Sequence, residues 1–162
     1  MKASKELGAN LQAVLVDLLE LQIQGKQAHW NVVGSNFRDM HRQLDEIIDA
    51  ARTFSDQVAE RMRALHVVPD GRSATVVKAT TLTQYPEGEV STKDTVGLIT
   101  AALEATVGTA RNVHDQVDEE DPTTADLLHA IIEKLEQFAW MVSAENRTPG
   151  KDTPVRTAKA KA

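Results

Sequence analysis

Along residues 26 to 46, KQAHWNVVGSNFRDMHRQLDE, imidazoles and carboxylates are set into chain that otherwise reads as two helices meeting at a bend. His29, His41 and Asp45 fall in this stretch, and Asp56 and Glu60 follow on the second helix. The chain has no cysteine, so a bound metal must take nitrogen and oxygen donors. On a straight helix turning about 100° per residue, His41, Asp45, Asp56 and Glu60 lie within about 100° of one another, so one face carries all four. Distance divides them. Asp45 and Asp56 lie about 16 Å apart along the axis, whereas metal–oxygen bonds are only ~2 Å, so the four cannot hold one ion within a single chain. His41/Asp45 and Asp56/Glu60 are therefore two half-sites. A second copy of this helix, antiparallel across a two-fold axis near Ala50 and Ala51, would join each half-site to the complementary half of its neighbour. The bend would bring His29 back to the first half-site.

Each residue also has a plainer reading. An i,i+4 Asp–Glu pair marks a solvated face, and a histidine in a helical seam marks a packing or interface residue. Taken together, acids and imidazoles on one face repel, and they are costly to bury unless a cation neutralises them.

The elements that must position these groups are helical. The chain has 162 residues, 41% hydrophobic and 26% charged, with 8 Gly, the profile of one globular domain with a real core. From the N-cap Ser4, the seam Leu7, Leu11, Val14, Leu18, Leu21, Gly25, Ala28 predicts a helix up to the bend at Asn31 to Ser35. Asn36 is expected to cap a second helix of about 30 residues, through Phe37, His41, Leu44, Ile48, Ala51, Ser55, Val58, Met62 and Leu65, ended by Pro69-Asp70-Gly71. Ser91-Thr92-Lys93-Asp94 reads as a variant capping box for a third, carrying Val96, Ile99, Leu103, Val107, Ala110, Val113 and Val117. Asp121-Pro122 opens a fourth, through Leu128, Ile131, Leu135, Phe138 and Val142, which stops near Arg147. Short first and last connections require antiparallel hairpins. The roughly 25 residues between the second and third helices can cross the bundle's length and set those two parallel, with a short helix over Ala74 to Thr80. The expected fold is all-α: a ferritin-like four-helix bundle over residues 1–147 with one long crossover, followed by a flexible basic tail over 148–162. No intrachain di-iron site of the usual bundle kind is present, because Glu-x-x-His on each of two helices is missing. The nearest fragment, Asp126-Leu-Leu-His129, has no partner on the second helix, and His66, His114 and His129 read as structural.

His29-Trp30-Asn31, Gly34, Phe37, Met40-His41, Leu44-Asp45-Glu46 and Asp56-x-x-x-Glu60, at this spacing, resemble the signature of the Dps family, the small ferritin-like DNA-protection proteins of starved bacteria. The resemblance covers about residues 4 to 147. It implies a hollow homododecamer with two-iron ferroxidase centres shared across dimer interfaces. One subunit supplies His29, His41 and Asp45, and the other supplies Asp56 and Glu60. The implied activity is oxidation of Fe(II), preferably by hydrogen peroxide, with ferric mineral stored inside the shell. Carboxylate and imidazole donors suit ferrous iron. Trp30 would lie near the centre, either intercepting stray oxidising equivalents or packing in the interface.

Asp121 and Asp126 match positions that line the family's three-fold pores and would admit iron. Asp121 before Pro122 is equally a good N-cap, and Asp118, Glu119 and Glu120 are equally steering charges on the outer surface. Net charge is −6, but residues 148–162 carry +3 and the preceding 147 carry −9. An acidic shell repels phosphate, so DNA binding would rest on Lys151, Arg156, Lys159 and Lys161, helped by Lys2 and Lys5 and multiplied over twelve copies. The tail could instead be a solubilising end without a ligand. No segment has the length and apolarity of a membrane span. A cytoplasmic protein is expected, associated with the bacterial nucleoid where DNA is bound. Two other function classes fit the same residues: a DNA-condensing shell with an inactive metal site, and a ferritin-like bundle handling another metal or reaction.

Overall fold

Ser4 starts the first helix, its hydroxyl accepting the Leu7 N–H at 3.0 Å and satisfying one of the four amides that a helix start leaves without partners. In this computed structural model, which describes residues 1–150, that helix is α1 (Lys5–Asn31). It is followed by β1 (Val32–Val33), α2 (Phe37–Ala64), α3 (Ser73–Ala79), β2 (Val90–Ser91), α4 (Thr92–Glu120) and α5 (Pro122–Ala144). Lys151, Arg156, Lys159 and Lys161 lie outside the described residues.

The four long helices form the expected bundle. Ser4, before α1, bonds Glu120 at the end of α4 through its N–H at 2.7 Å and its hydroxyl at 2.6 Å, so α1 and α4 are antiparallel. Asn36, before α2, bonds Glu145, after α5, so α2 and α5 are antiparallel as well. With two hairpins, α2 and α4 must then run parallel, and the crossover between them carries α3. The predicted seams are the core. Leu7, Leu11, Leu18 and Leu21 of α1 meet Leu44 and Met62 of α2, Ile99 and Leu103 of α4, and Leu128, Ile131 and Leu135 of α5, all inaccessible or nearly so. Gly25 is there for closeness. A Cβ on it would sit 2.8 Å from Ile48 Cγ1, so the glycine lets α1 and α2 approach at the level of the first half-site.

Four details depart from the sequence reading. Asn36 precedes α2 in a left-handed conformation (φ 59°) and makes no side-chain cap bond; its amide goes to Glu145 instead. Helix α2 ends before Pro69. His66 takes φ 62°, with His66 N–H to Arg63 carbonyl at 3.1 Å and Val67 N–H to Met62 carbonyl at 2.8 Å, the bonding pattern of a Schellman ending. Helix α5 stops at Ala144, short of Arg147. Finally, the bend after α1 pairs with the end of the crossover as a small parallel ladder, Val32 against Val90 and Val33 against Ser91.

Polar side chains pin the crossover where apolar contacts are few. Buried Asp17 accepts from the Thr80 hydroxyl (2.9 Å), the Thr81 N–H (2.8 Å) and hydroxyl (2.6 Å), and the Thr109 hydroxyl (2.7 Å). Farther along, Gln24 donates to Glu20 and to the Thr83 carbonyl, both at 2.9 Å, and Gln84 donates to Glu20 at 3.1 Å. A buried carboxylate with four donors is satisfied without a counter-ion. Gln12 and Asp70 exchange bonds at 2.8 and 2.9 Å just after α2.

Candidate metal centre

The last turn of α1 and the first two turns of α2 face each other across the bend. Gly34, with φ 117°, adopts the left-handed region that glycine enters without steric cost, and the chain reverses there. His29, nearly buried, and His41 then stack with ring centroids 3.6 Å apart and planes at 23°. Each Nδ1 lies 2.9 Å from the other residue's backbone carbonyl oxygen. A carbonyl only accepts, so both rings carry their proton on Nδ1, and both Nε2 lone pairs are left for another ligand. A carbonyl on one ring nitrogen is the bonding that orients the other nitrogen of an imidazole for a metal. Phe37, exposed rather than buried in the seam as its spacing suggested, lies over His41 with centroids 5.3 Å apart.

Asp45 completes the cluster one turn on, its Oδ1 3.4 Å from His29 Nδ1. Lys26 Nζ holds the same oxygen at 2.7 Å. That hydrogen bond holds the Asp45 carboxyl below the usual carboxylate range; a small desolvation opposes it, and His29 and His41 add smaller pulls. The position of Lys26 on the candidate ligand was not anticipated. Its only signal in the sequence is its place one turn before His29.

Asp56 and Glu60 are exposed, about three and four turns along α2 from Asp45. They line an open hollow of about 760 Å³ with Leu15, Leu19, Arg52 and Pro69. Within one chain, no group of three or more His, Asp or Glu residues closes around a single point among the described residues. The structure brings His29, His41 and Asp45 together and keeps Asp56 and Glu60 apart from them. Trp30 points away from the core and is 70% exposed.

At the α4–α5 corner the two acids separate by environment. Asp121 is buried, its carboxylate held by Arg61 Nη2 at 2.6 Å and the Thr124 hydroxyl at 2.5 Å. Burial pushes its carboxyl up, but the Thr124 and Arg61 bonds outweigh this and hold it below the usual range. Asp126 is open to solvent, its side chain 86% exposed. Near it, His114 and His129, read from the sequence as structural, bring their Nε2 atoms to 2.6 Å. No helix among the described residues is long and apolar enough to cross a membrane.

The chain matches the profile described as Ferritin-like domain over residues 8–148. It is 37% identical over 134 residues to the fine tangled pili major subunit of Haemophilus ducreyi, covering 83% of this chain and 71% of that one. To DNA protection during starvation protein 2 of Deinococcus radiodurans it is 36% identical over 137 residues, and it spans only 56% of that relative's length, with 83% of this chain covered. To the DNA protection during starvation protein of Mycolicibacterium smegmatis it is 31% identical over 153 residues, covering 92% of this chain and 81% of the relative. Among solved structures it superposes on Dps92 of Deinococcus radiodurans with a TM-score of 0.86 at 33% identity, over 90% of this chain and 88% of that one. It superposes on Dps of Microbacterium arborescens in its high iron form with a TM-score of 0.83 at 32% identity, over 90% and 97% of the two chains. The chain belongs to the Dps family of ferritin-like proteins.

Proposed function

We propose that this chain assembles as a hollow homododecamer that oxidises Fe(II) with hydrogen peroxide, stores the ferric product inside and so protects DNA from oxidative damage. The observation that carries the reading is the reciprocal bonding of His29 and His41, which leaves both Nε2 lone pairs out of the exchange, in a hairpin where Asp45 Oδ1 comes within 3.4 Å of His29 Nδ1. In this proposal each centre draws His29, His41 and Asp45 from one subunit and Asp56 and Glu60 from its two-fold neighbour. Two imidazoles and three carboxylates suit ferrous iron and leave coordination positions open to the oxidant. One peroxide takes one electron from each of two ferrous ions; its O–O bond breaks and, with two protons, two waters leave. Pairing both electrons in one event releases no hydroxyl radical. Trp30, adjacent to His29, is assigned to intercept stray oxidising equivalents.

Asp126 is assigned to iron access through three-fold pores. Asp121 holds the corner from which Asp126 projects, through Arg61 and Thr124. DNA contact is assigned to Lys151, Arg156, Lys159 and Lys161, because the preceding 147 residues carry −9 and repel phosphate. The high-iron form recorded for the Microbacterium arborescens relative supports iron as the substrate. The name of the Haemophilus ducreyi relative supports a second reading, an assembly whose role is structural.

Anaerobic Fe(II) loading of the purified protein, followed by peroxide, separates the two. Fast growth of ferric absorbance in a soluble particle near twelve times 17.7 kDa is expected. A shell of that size that leaves Fe(II) unoxidised would establish the structural reading.

A further inference from the structure

Helices α4 and α5 hold a second pair of imidazoles that the iron chemistry does not use. His114 and His129 face each other across the hairpin, with Nε2 to Nε2 at 2.6 Å, ring centroids 4.5 Å apart and planes at 32°. Two nitrogens in such contact cannot both carry protons. The opposite nitrogens face carboxylates: His114 Nδ1 is 3.0 Å from Asp115 Oδ1, and His129 Nδ1 is 3.7 Å from Asp126 Oδ1. At 3.0 Å the Asp115 carboxylate draws the His114 ring proton to Nδ1 and frees its Nε2, the arrangement that orients metal-bound histidines, whereas Asp126 at 3.7 Å is beyond hydrogen-bond reach of His129. When both Nδ1 atoms carry the proton, two Nε2 lone pairs point at each other and the contact is repulsive unless a cation sits between them; with the proton on His129 Nε2 it is a hydrogen bond.

The surroundings favour a cation. The pair opens into a hollow of about 430 Å³ lined by Arg111, Asp115, Glu133 and Glu136. Arg111 Nε holds Glu136 at 3.0 Å, so Glu136 is neutralised within the chain. Glu133 is exposed and lies four residues after His129, on the same face of α5. It can swing onto an ion held by the two rings.

We propose that His114 and His129 form a metal site that bridges α4 and α5 and takes a borderline divalent cation such as Zn²⁺, with Glu133 as third ligand and water completing the shell. Zinc–nitrogen bonds of about 2.0–2.1 Å at a tetrahedral angle place two nitrogens about 3.3 Å apart. The observed contact must therefore open by about 0.7 Å, a small movement for His129, whose side chain is 59% exposed. Two imidazoles and one carboxylate select zinc or copper over magnesium or calcium, which prefer oxygen donors alone. The site would tie the hairpin together about two helical turns from its corner. It does not depend on the proposed ferroxidase centre.

The test is equilibrium dialysis of the assembled full chain with Zn²⁺, in a background carrying His41→Ala and Asp45→Ala so that the candidate iron centre does not hold zinc. Adding His114→Gln and His129→Gln is expected to remove one zinc per chain, and Glu133→Gln to weaken that zinc about tenfold. Unchanged stoichiometry in the His114→Gln, His129→Gln protein would overturn the site. Should that variant fail to assemble, zinc-soaked crystals of the unaltered chain decide. An anomalous peak between the two Nε2 atoms is expected, and its absence at saturating zinc overturns the proposal. Zinc binding that is unaltered while the pH dependence of unfolding changes would identify a shared proton instead, and would overturn it equally. Loss of iron oxidation in the unaltered chain bears on the ferroxidase reading and leaves the zinc result standing.

Discussion

His29 and His41 lock each other's tautomer: each Nδ1 is 2.9 Å from the other's backbone carbonyl, with the rings stacked between. The two rings are one unit, with both Nε2 atoms left out of the exchange. Asp56 and Glu60 lie farther along α2, and in the proposed centre their complement comes from a two-fold neighbour.

Mixed assemblies therefore distinguish a shared centre from an intrachain one. His41→Ala and Glu60→Ala are each expected to abolish fast peroxide-driven Fe(II) oxidation, since both centres of a dimer lose one group. In a mixed dimer one centre loses both groups and the other keeps both. Co-refolded, differentially tagged shells should regain about half the centres in each mixed dimer. No rescue in verified mixed dimers would reject the shared site.

Lys26 occupies the Asp45 oxygen that would ligate iron in the proposed centre. Lys26→Met is expected to tighten binding of the first Fe(II) several-fold, while changing stability by less than about 1 kcal/mol because the pair is partly solvated. The pH dependence should also move. The Lys26 bond depresses the Asp45 carboxyl, so its contribution is present above the ordinary carboxylate range and is lost as pH falls through the depressed value. Without Lys26, protonation of Asp45 begins at higher pH, and metal binding should weaken earlier on acidification. Titration calorimetry as a function of pH reads both effects.

Asp17 ties α1 to both the crossover and α4 through four donors. Asp17→Ala removes a buried acceptor from four donors on half-buried or exposed threonines and should cost about 1–3 kcal/mol. Asp17→Asn, which can keep part of the set, should cost less. Chemical denaturation gives the two values, and equal losses would point to charge rather than to bond count.

His66 sits left-handed at the end of α2, where glycine is the favoured residue. His66→Gly removes an αL cost of about 1–2 kcal/mol for a residue with a Cβ. Part of this is offset by about 0.5–1 kcal/mol of unfolded-chain freedom. A net gain of about 0.5 kcal/mol is expected, read as a higher denaturation midpoint at unchanged slope. A loss would show that the imidazole makes a contact needed in the assembly.

Removing residues 149–162 should abolish retardation of DNA in gels without altering Fe(II) oxidation. Binding by the intact shell should fall steeply with added salt, as counter-ion release requires. Undiminished binding by the truncated shell would locate the contact elsewhere.

The helices were readable because their signals are local. Ser4, Ser91 and Asp121-Pro122 mark starts within one turn, and the seams through Leu7 to Ala28 and Leu128 to Val142 turn at the helical period, so one face is buried whatever it meets. The separation of Asp45 from Asp56 was equally local, since the axial rise between them follows from helix geometry alone. Asn36 and the end of α2 were misread because the same residue types serve as side-chain caps or as left-handed positions, and packing chooses between them. The rest depended on the rotational phase at which helices pack. Lys26 reaches Asp45 across the bend, Asp17 meets threonines 63 to 92 residues away, and His114 meets His129 because α4 and α5 turn those residues toward each other at the same height. No period or motif encodes that phase; it is set by how side chains such as Ile48 fill the space above a residue such as Gly25.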